Sequence, residues 1–99
     1  MDIQLKLNDI GRGAFTIEKE GEMLAEMEVG IQHGNLTVYH TEVAEILKGK
    51  GIAPKLLSSM VAYAREHHLK VIPLCPYVQA QFKKHPEKYE DIWNKSWHP

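Results

Sequence analysis

The residues best suited to chemistry fall in two parts of the chain. The first is the run from Glu45 to Lys55, in which Lys48, Gly49, Lys50 and Gly51 precede Ile52, Ala53 and Pro54. Glycines let backbone amides approach a ligand closely, and a helix that starts beside them adds unpaired N–H groups and a positive dipole end. A phosphate or diphosphate suits that arrangement, and Lys48 and Lys50, with Lys55 close behind, place positive charge next to it. On spacing alone, a glycine-containing surface loop with ordinary lysines fits equally well. A nucleoside triphosphate loop does not fit, because no Gly-Lys-Ser or Gly-Lys-Thr closes the run. Nor does the dinucleotide fingerprint, which needs three spaced glycines and a parallel unit nearer the start of the chain.

The second part holds the titratable side chains that flank this turn. His40 is a candidate proton acceptor, because neutral imidazole titrates near pH 7; Glu42 and Glu45 are alternatives. His40 also reads as a hydrogen-bonded structural histidine. Cys75 precedes Pro76, which can open a helix, so its thiol would sit at a helix N-terminus, where thiolate is favoured. A lone cysteine is more often a small buried hydrophobe. His67 and His68 are adjacent, point about 100° apart on a helix and cannot chelate one ion together, so no metal is expected.

Around these residues the pattern changes character at mid-chain. Ile3, Leu5 and Leu7 alternate with polar residues, and Phe15 and Ile17 repeat the alternation. From Met23 to Ile31 the odd positions are apolar, while Glu22, Glu26 and Glu28 occupy the other face. Turn signals at Gly11 to Gly13, Glu20-Gly21 and His33-Gly34-Asn35 join these runs into an antiparallel meander. A fourth strand begins near Leu36; Leu36, Val38 and His40 share a parity, which points the imidazole toward the apolar face, with Thr37 and Tyr39 opposite. After the glycines the period becomes helical. Ile52, Leu56, Leu57, Met60, Val61 and Ala64 form one stripe running to about His67, with Pro54 tolerated in the first turn. Lys70 to Leu74 reads as a buried strand, so a right-handed parallel crossover is expected. Pro76 opens a second helix that carries Val78 and Phe82 and stops near His85-Pro86. A short third helix would bury Tyr89, Ile92 and Trp93.

The fold class implied is α/β or α+β: an antiparallel meander followed by a parallel β-α-β crossover and one or two short helices, in a single domain over residues 1–99. A formal net charge of −1 supplies no overall field for nucleic acid or anionic lipid. Lys83, Lys84, His85 and Lys88 with Tyr89, Trp93 and Trp97 form the one run that suggests RNA binding, and a solvated helix edge over packed aromatics explains it as well. One cysteine, no secretory leader and no apolar run near the roughly 20 residues of a membrane span point to a reducing cytoplasm.

Read together, His40-Thr41-Glu42-Val43, Gly49-Lys50-Gly51-Ile52-Ala53, Leu56-Leu57, Tyr63-Ala64-Arg65, Pro73-Leu74-Cys75-Pro76-Tyr77-Val78 and His85-Pro86-Glu87 resemble the compact, single-domain, YjdJ-like branch of the GNAT acetyltransferase superfamily. The resemblance spans nearly the whole chain in the right order. It implies an acetyl-CoA-dependent N-acetyltransferase in which Lys48 to Ala53 hold the coenzyme diphosphate, amides near Val43 polarise the thioester carbonyl between splayed fourth and fifth strands, and an amine attacks directly in a ternary complex. It also makes Tyr77 a candidate acid for the leaving thiolate, and Cys75 a thioester contact, an acid or a transient nucleophile. The superfamily's usual Gln or Arg three residues before the first glycine is Ile46 here, with Lys48 to supply the charge. The acceptor is an amine of unspecified identity, small molecule or protein, and the protein a monomer or weak homodimer. The rival is a module that holds acetyl-CoA as a sensor with little turnover.

Overall fold

A computed structural model describes residues 2–96. Five strands form one sheet in sequence order: β1 (Gln4–Leu7), β2 (Arg12–Lys19), β3 (Glu22–Gln32), β4 (Asn35–Val43) and β5 (Lys70–Pro73). The first four are antiparallel neighbours, and β5 lies parallel to β4. A 3-10 turn (Glu45–Leu47) and helix α1 (Ile52–Glu66) make the crossover between them. Helices α2 (Pro76–Lys84) and α3 (Pro86–Tyr89) follow. The mixed sheet expected from the pattern is therefore present.

One face of the sheet carries the core. Phe15, Ile17, Ala25, Met27, Val29, Leu36 and Val38 pack against the α1 stripe Ile52, Leu56, Leu57, Met60, Val61 and Ala64, with Val78 and Phe82 of α2 in the same cluster. Both helices thus serve one apolar layer, which is why their stripes are one-sided. The outer face is a pair of polar cross-strand rows. Gln4, Thr16, Glu26 and Glu42 lie in register across β1 to β4, and Lys6, Ala14, Glu28 and His40 form the next row.

Two register shifts break the simple alternation. In β3, Ile17 pairs with Ala25 but Glu18 with Met23, so Leu24 is an extra residue. Met23 is consequently thrown off the buried face and is exposed, whereas the alternation places it with Ala25, Met27 and Val29. In β4, Val38 pairs with Val29 but His40 with Glu28, so Tyr39 is the extra residue. A bulge of this kind sets two consecutive side chains on one face. Tyr39 closes over Gly30, where an added Cβ would lie 3.1 Å from the ring, and His40 follows it to the exposed outer face.

The far end of the sheet is closed by the C-terminal segment. Val71 N–H donates to the Ile92 carbonyl, and Asn94 N–H donates back to Val71, which covers part of the β5 edge. The third helix ends at Tyr89, short of expectation, and Ile92 and Trp93 lie in the turn and bridge beyond it. Tyr89 stacks on Phe82 and Trp93 meets the same ring edge-on, so these aromatics pack inward; Trp97 lies outside the described residues. Arg65 at the end of α1 secures the segment, donating to both carboxylate oxygens of Asp91 and to the Lys88 carbonyl.

Truncating Leu56, fully buried at the centre of α1, to Ala should cost about 2–5 kcal/mol and lower the urea midpoint without changing the slope. The Arg65 hydrogen bonds hold the Asp91 carboxyl below its ordinary value of 3.8. The pair's stabilisation is therefore fully present above pH 3.8 and fades as pH falls through the lowered native value. Asp91→Asn should lower the thermal midpoint at neutral pH, and the gap from wild type should close in acid; a gap constant with pH would contradict this assignment.

Candidate active site

The site begins where β4 and β5 part. Their pairing runs only from Asn35–Lys70 to Val38–Pro73, and the Cys75 amide still donates to the Val38 carbonyl at 2.9 Å. Beyond that point the chain turns into α2 at Pro76, while β4 continues to Val43. Among the described residues, no strand neighbours its outer edge there. Because the Ala44 amide donates to the Leu24 carbonyl and amides alternate along a strand, the N–H groups of Thr41 and Val43 point away from β3, toward this free edge.

A cleft of about 460 Å³ lies along it. Val43, Lys48, Gly49, Gly51, Ile52, Ala53 and Tyr77 all line it, so the structure gathers into one hollow most of the residues the sequence singles out. Lys50 is not among the lining residues. Thr41, Leu47 and Pro54, which sequence reasoning did not select, complete the wall.

At one end of the cleft, Gly49 and Gly51 have φ of 80° and 72°, and nothing lies within 4 Å of where their Cβ atoms would stand. Gly51 is also the N-cap of α1, with no side chain capping the helix. Among the described residues the amides of Gly49 and Gly51 find no backbone acceptor, and the first amides of α1 have none within the helix. Lys48 adds its ammonium. Glu45 holds the Lys48 ammonium at 2.9 Å, and this hydrogen bond raises its pKa. These groups together suit an anion with several oxygens.

The proton-transfer candidates divide between the two faces of the sheet. Tyr77 is half-buried in the cleft wall; burial, reinforced by Tyr89 and Cys75, raises its pKa, so the phenol stays protonated at neutral pH. Cys75 is buried, its sulfur 3.3 Å from the Thr41 hydroxyl, and Thr41 rather than Cys75 reaches the cleft. His40 and Glu42 stand on the outer face, with 3.5 Å between imidazole Nε2 and carboxylate. The expected inward imidazole is thus corrected by the Tyr39 bulge, which the sequence pattern does not announce. The same bulge turns Thr41 inward to meet Cys75, so the signal for Thr41 was its place in the His-Thr-Glu-Val segment, not its parity.

Among the described residues, no three His, Cys, Asp or Glu side chains assemble into a metal-holding group. Among the described residues, no helix is long and apolar enough to cross a membrane.

With this geometry in place, comparison with known proteins is informative. A family model described as GCN5-related N-acetyl-transferase matches residues 14–92. The NMR solution structure of a GCN5-like candidate N-acetyltransferase from Staphylococcus aureus superposes with a TM-score of 0.65 at 27% identity, over 91% of this chain and 86% of that one. The crystal structure of a ribosomal-protein-alanine N-acetyltransferase from Brucella melitensis biovar Abortus 2308 superposes with a TM-score of 0.59. Its identity is 22%, over 92% of this chain and 69% of that one, so it speaks for the fold alone. No curated protein matches the sequence.

Gly51→Val forces a β-branched residue into left-handed backbone. It should lower stability by about 1–2 kcal/mol in denaturant unfolding; wild-type stability would show that the turn relaxes freely.

Proposed function

The chain belongs to the GCN5-related N-acetyltransferase family, and from that premise we propose that it binds acetyl-CoA along the free edge of β4 and transfers the acetyl group to a primary amine by direct attack in a ternary complex. The observation that carries the reading is the cleft in which the outward amides of β4, the glycine turn and Tyr77 converge. In this reading the coenzyme diphosphate rests on the amides of Gly49 and Gly51 and of the first turn of α1, with Lys48 beside it and Ile52 and Ala53 as the apolar floor. Lys50 contributes charge from outside the wall.

The thioester carbonyl accepts a hydrogen bond from the Val43 amide, which stabilises the oxyanion as the amine nitrogen attacks. The N–C bond forms, the C–S bond breaks and its electron pair leaves on sulfur. Tyr77, kept protonated by burial, supplies the proton that makes the free thiol. The surplus proton of the amine passes to the Glu42 and His40 pair on the outer face, with Glu42 nearer the substrate and His40 behind it. Cys75, closed off behind Thr41, acts as a wall and forms no acyl intermediate.

Chemical-shift mapping with acetyl-CoA tests the binding site; the amides of residues 41–53 and Tyr77 should move, and an unperturbed turn would remove the coenzyme assignment. Thiol release over a panel of amines tests the chemistry, since saturable binding with no release over any acceptor would instead mark a coenzyme-holding module. His40→Ala should lower turnover roughly 100-fold while leaving coenzyme affinity nearly intact. Cys75→Ala should retain turnover within a few-fold, and its loss would restore the thiol to the mechanism.

A further inference from the structure

A second cavity, of about 530 Å³, adjoins the coenzyme cleft and shares Thr41, Val43 and Lys48 with it. The two hollows therefore meet across the free edge of β4. Its apolar wall comes from Met23, Leu24 and Ala25, and its polar wall from Glu26 and Glu42. Such a mixture of a few charged groups on an apolar lining is that of a small-molecule site, and the volume lies in the usual range.

Its carboxylates outnumber its cations, Glu26 and Glu42 against Lys48. Glu26 and Glu42 are directly paired in register across β3 and β4, an arrangement that like charges disfavour. Other carboxylates on this face are matched, Glu18 by Lys6 and Glu28 by Arg12. Glu26 enters no ion pair among the described residues, and the ammonium of Lys48, which also lines the cavity, is taken up by Glu45. The bulge makes Leu24 an extra residue between Met23 and Ala25, and all three line the cavity.

We infer that this cavity is the acceptor pocket and that its occupant is a short alkyl diamine, with Glu26 as the residue that selects for the second cation. The inference rests on the acetyltransferase reading above. The reacting amine lies at the free edge of β4, close to Glu42; the alkyl chain runs over Leu24 and Val43; and the distal ammonium sits on Glu26, one strand further on and about 4.8 Å across the sheet. The reacting nitrogen gives up its surplus proton to Glu42 and His40, bonds to the carbonyl carbon as the C–S bond breaks, and leaves a monoacetylated diamine and the free thiol of the coenzyme. The distal ammonium takes no part in bond making.

The test compares 1,4-diaminobutane with n-butylamine as acceptors, at saturating acetyl-CoA, in the wild-type protein and in Glu26→Gln. The wild type should favour the diamine on the order of tenfold in kcat/KM, through a lower KM, and the preference should shrink as salt is raised. Glu26→Gln should lose the preference, through a KM for the diamine that rises toward the KM for n-butylamine in the same variant, and Glu26→Asp should restore part of it. Equal use of the two amines by the wild type, a preference that survives in Glu26→Gln, or no reaction of either amine in a protein that binds acetyl-CoA would each overturn the inference. Failure to bind acetyl-CoA at all is a different result, and it removes the acetyltransferase reading itself.

Discussion

The parting of β4 from β5 governs the rest of this structure. Two parallel strands that stayed paired to their ends would satisfy the β4 edge amides internally and leave no opening. Here pairing stops at Val38 and Pro73, and a proline three residues beyond the strand end starts α2. Proline has no amide to give a ladder and its fixed φ suits a helix start, so the strand cannot continue beside β4. The amides of Thr41 and Val43 are left facing a cleft, and in a folded protein such donors call for a partner.

The crossover then decides what lies at the end of that opening. A parallel neighbour requires the chain to travel the length of the sheet, and α1 does so on the core side. Its N-terminus consequently falls at the end of the sheet where β4 finishes. Two glycines in left-handed conformation bring the chain from the 3-10 turn into the helix without side chains in the way. The open glycine turn at the start of α1 is thus a by-product of the route that packs Leu56 and Met60 onto the sheet. Core and cleft share one element, with its apolar stripe turned inward and its uncapped first turn left open.

The face away from the helices is built of cross-strand rows with charged pairs. Among the described residues no helix covers it, and its ordered rows of lysine, arginine, glutamate and histidine keep it wet. The proposed acceptor pocket, at the ends of β3 and β4, is bounded by strand ends and side chains rather than by an added layer. Charge and the two bulges therefore have more influence on what it accepts than they would in a deeper, walled site.

Much of this was legible in the residues. The four alternating runs, the glycine-marked turns, the α1 stripe from Ile52 to Ala64 and the strand from Lys70 each depend on short-range periodicity, which sequence carries directly. So does the turn from Lys48 to Gly51, whose chemistry lies in residue types that sit side by side. The bulges were not legible, because an extra residue in a strand is defined by its partner strand. Tyr39 and Leu24 look like ordinary members of alternating runs until β2 and β3 are laid beside them. That pairing moved His40 to the outer face, brought Thr41 against Cys75 and exposed Met23. The amino-acid order by itself determined which elements form and which residues meet at the glycine turn; the tertiary structure alone decided which side of the sheet each reactive group faces, since facing is a property of registered pairs of strands and not of one strand.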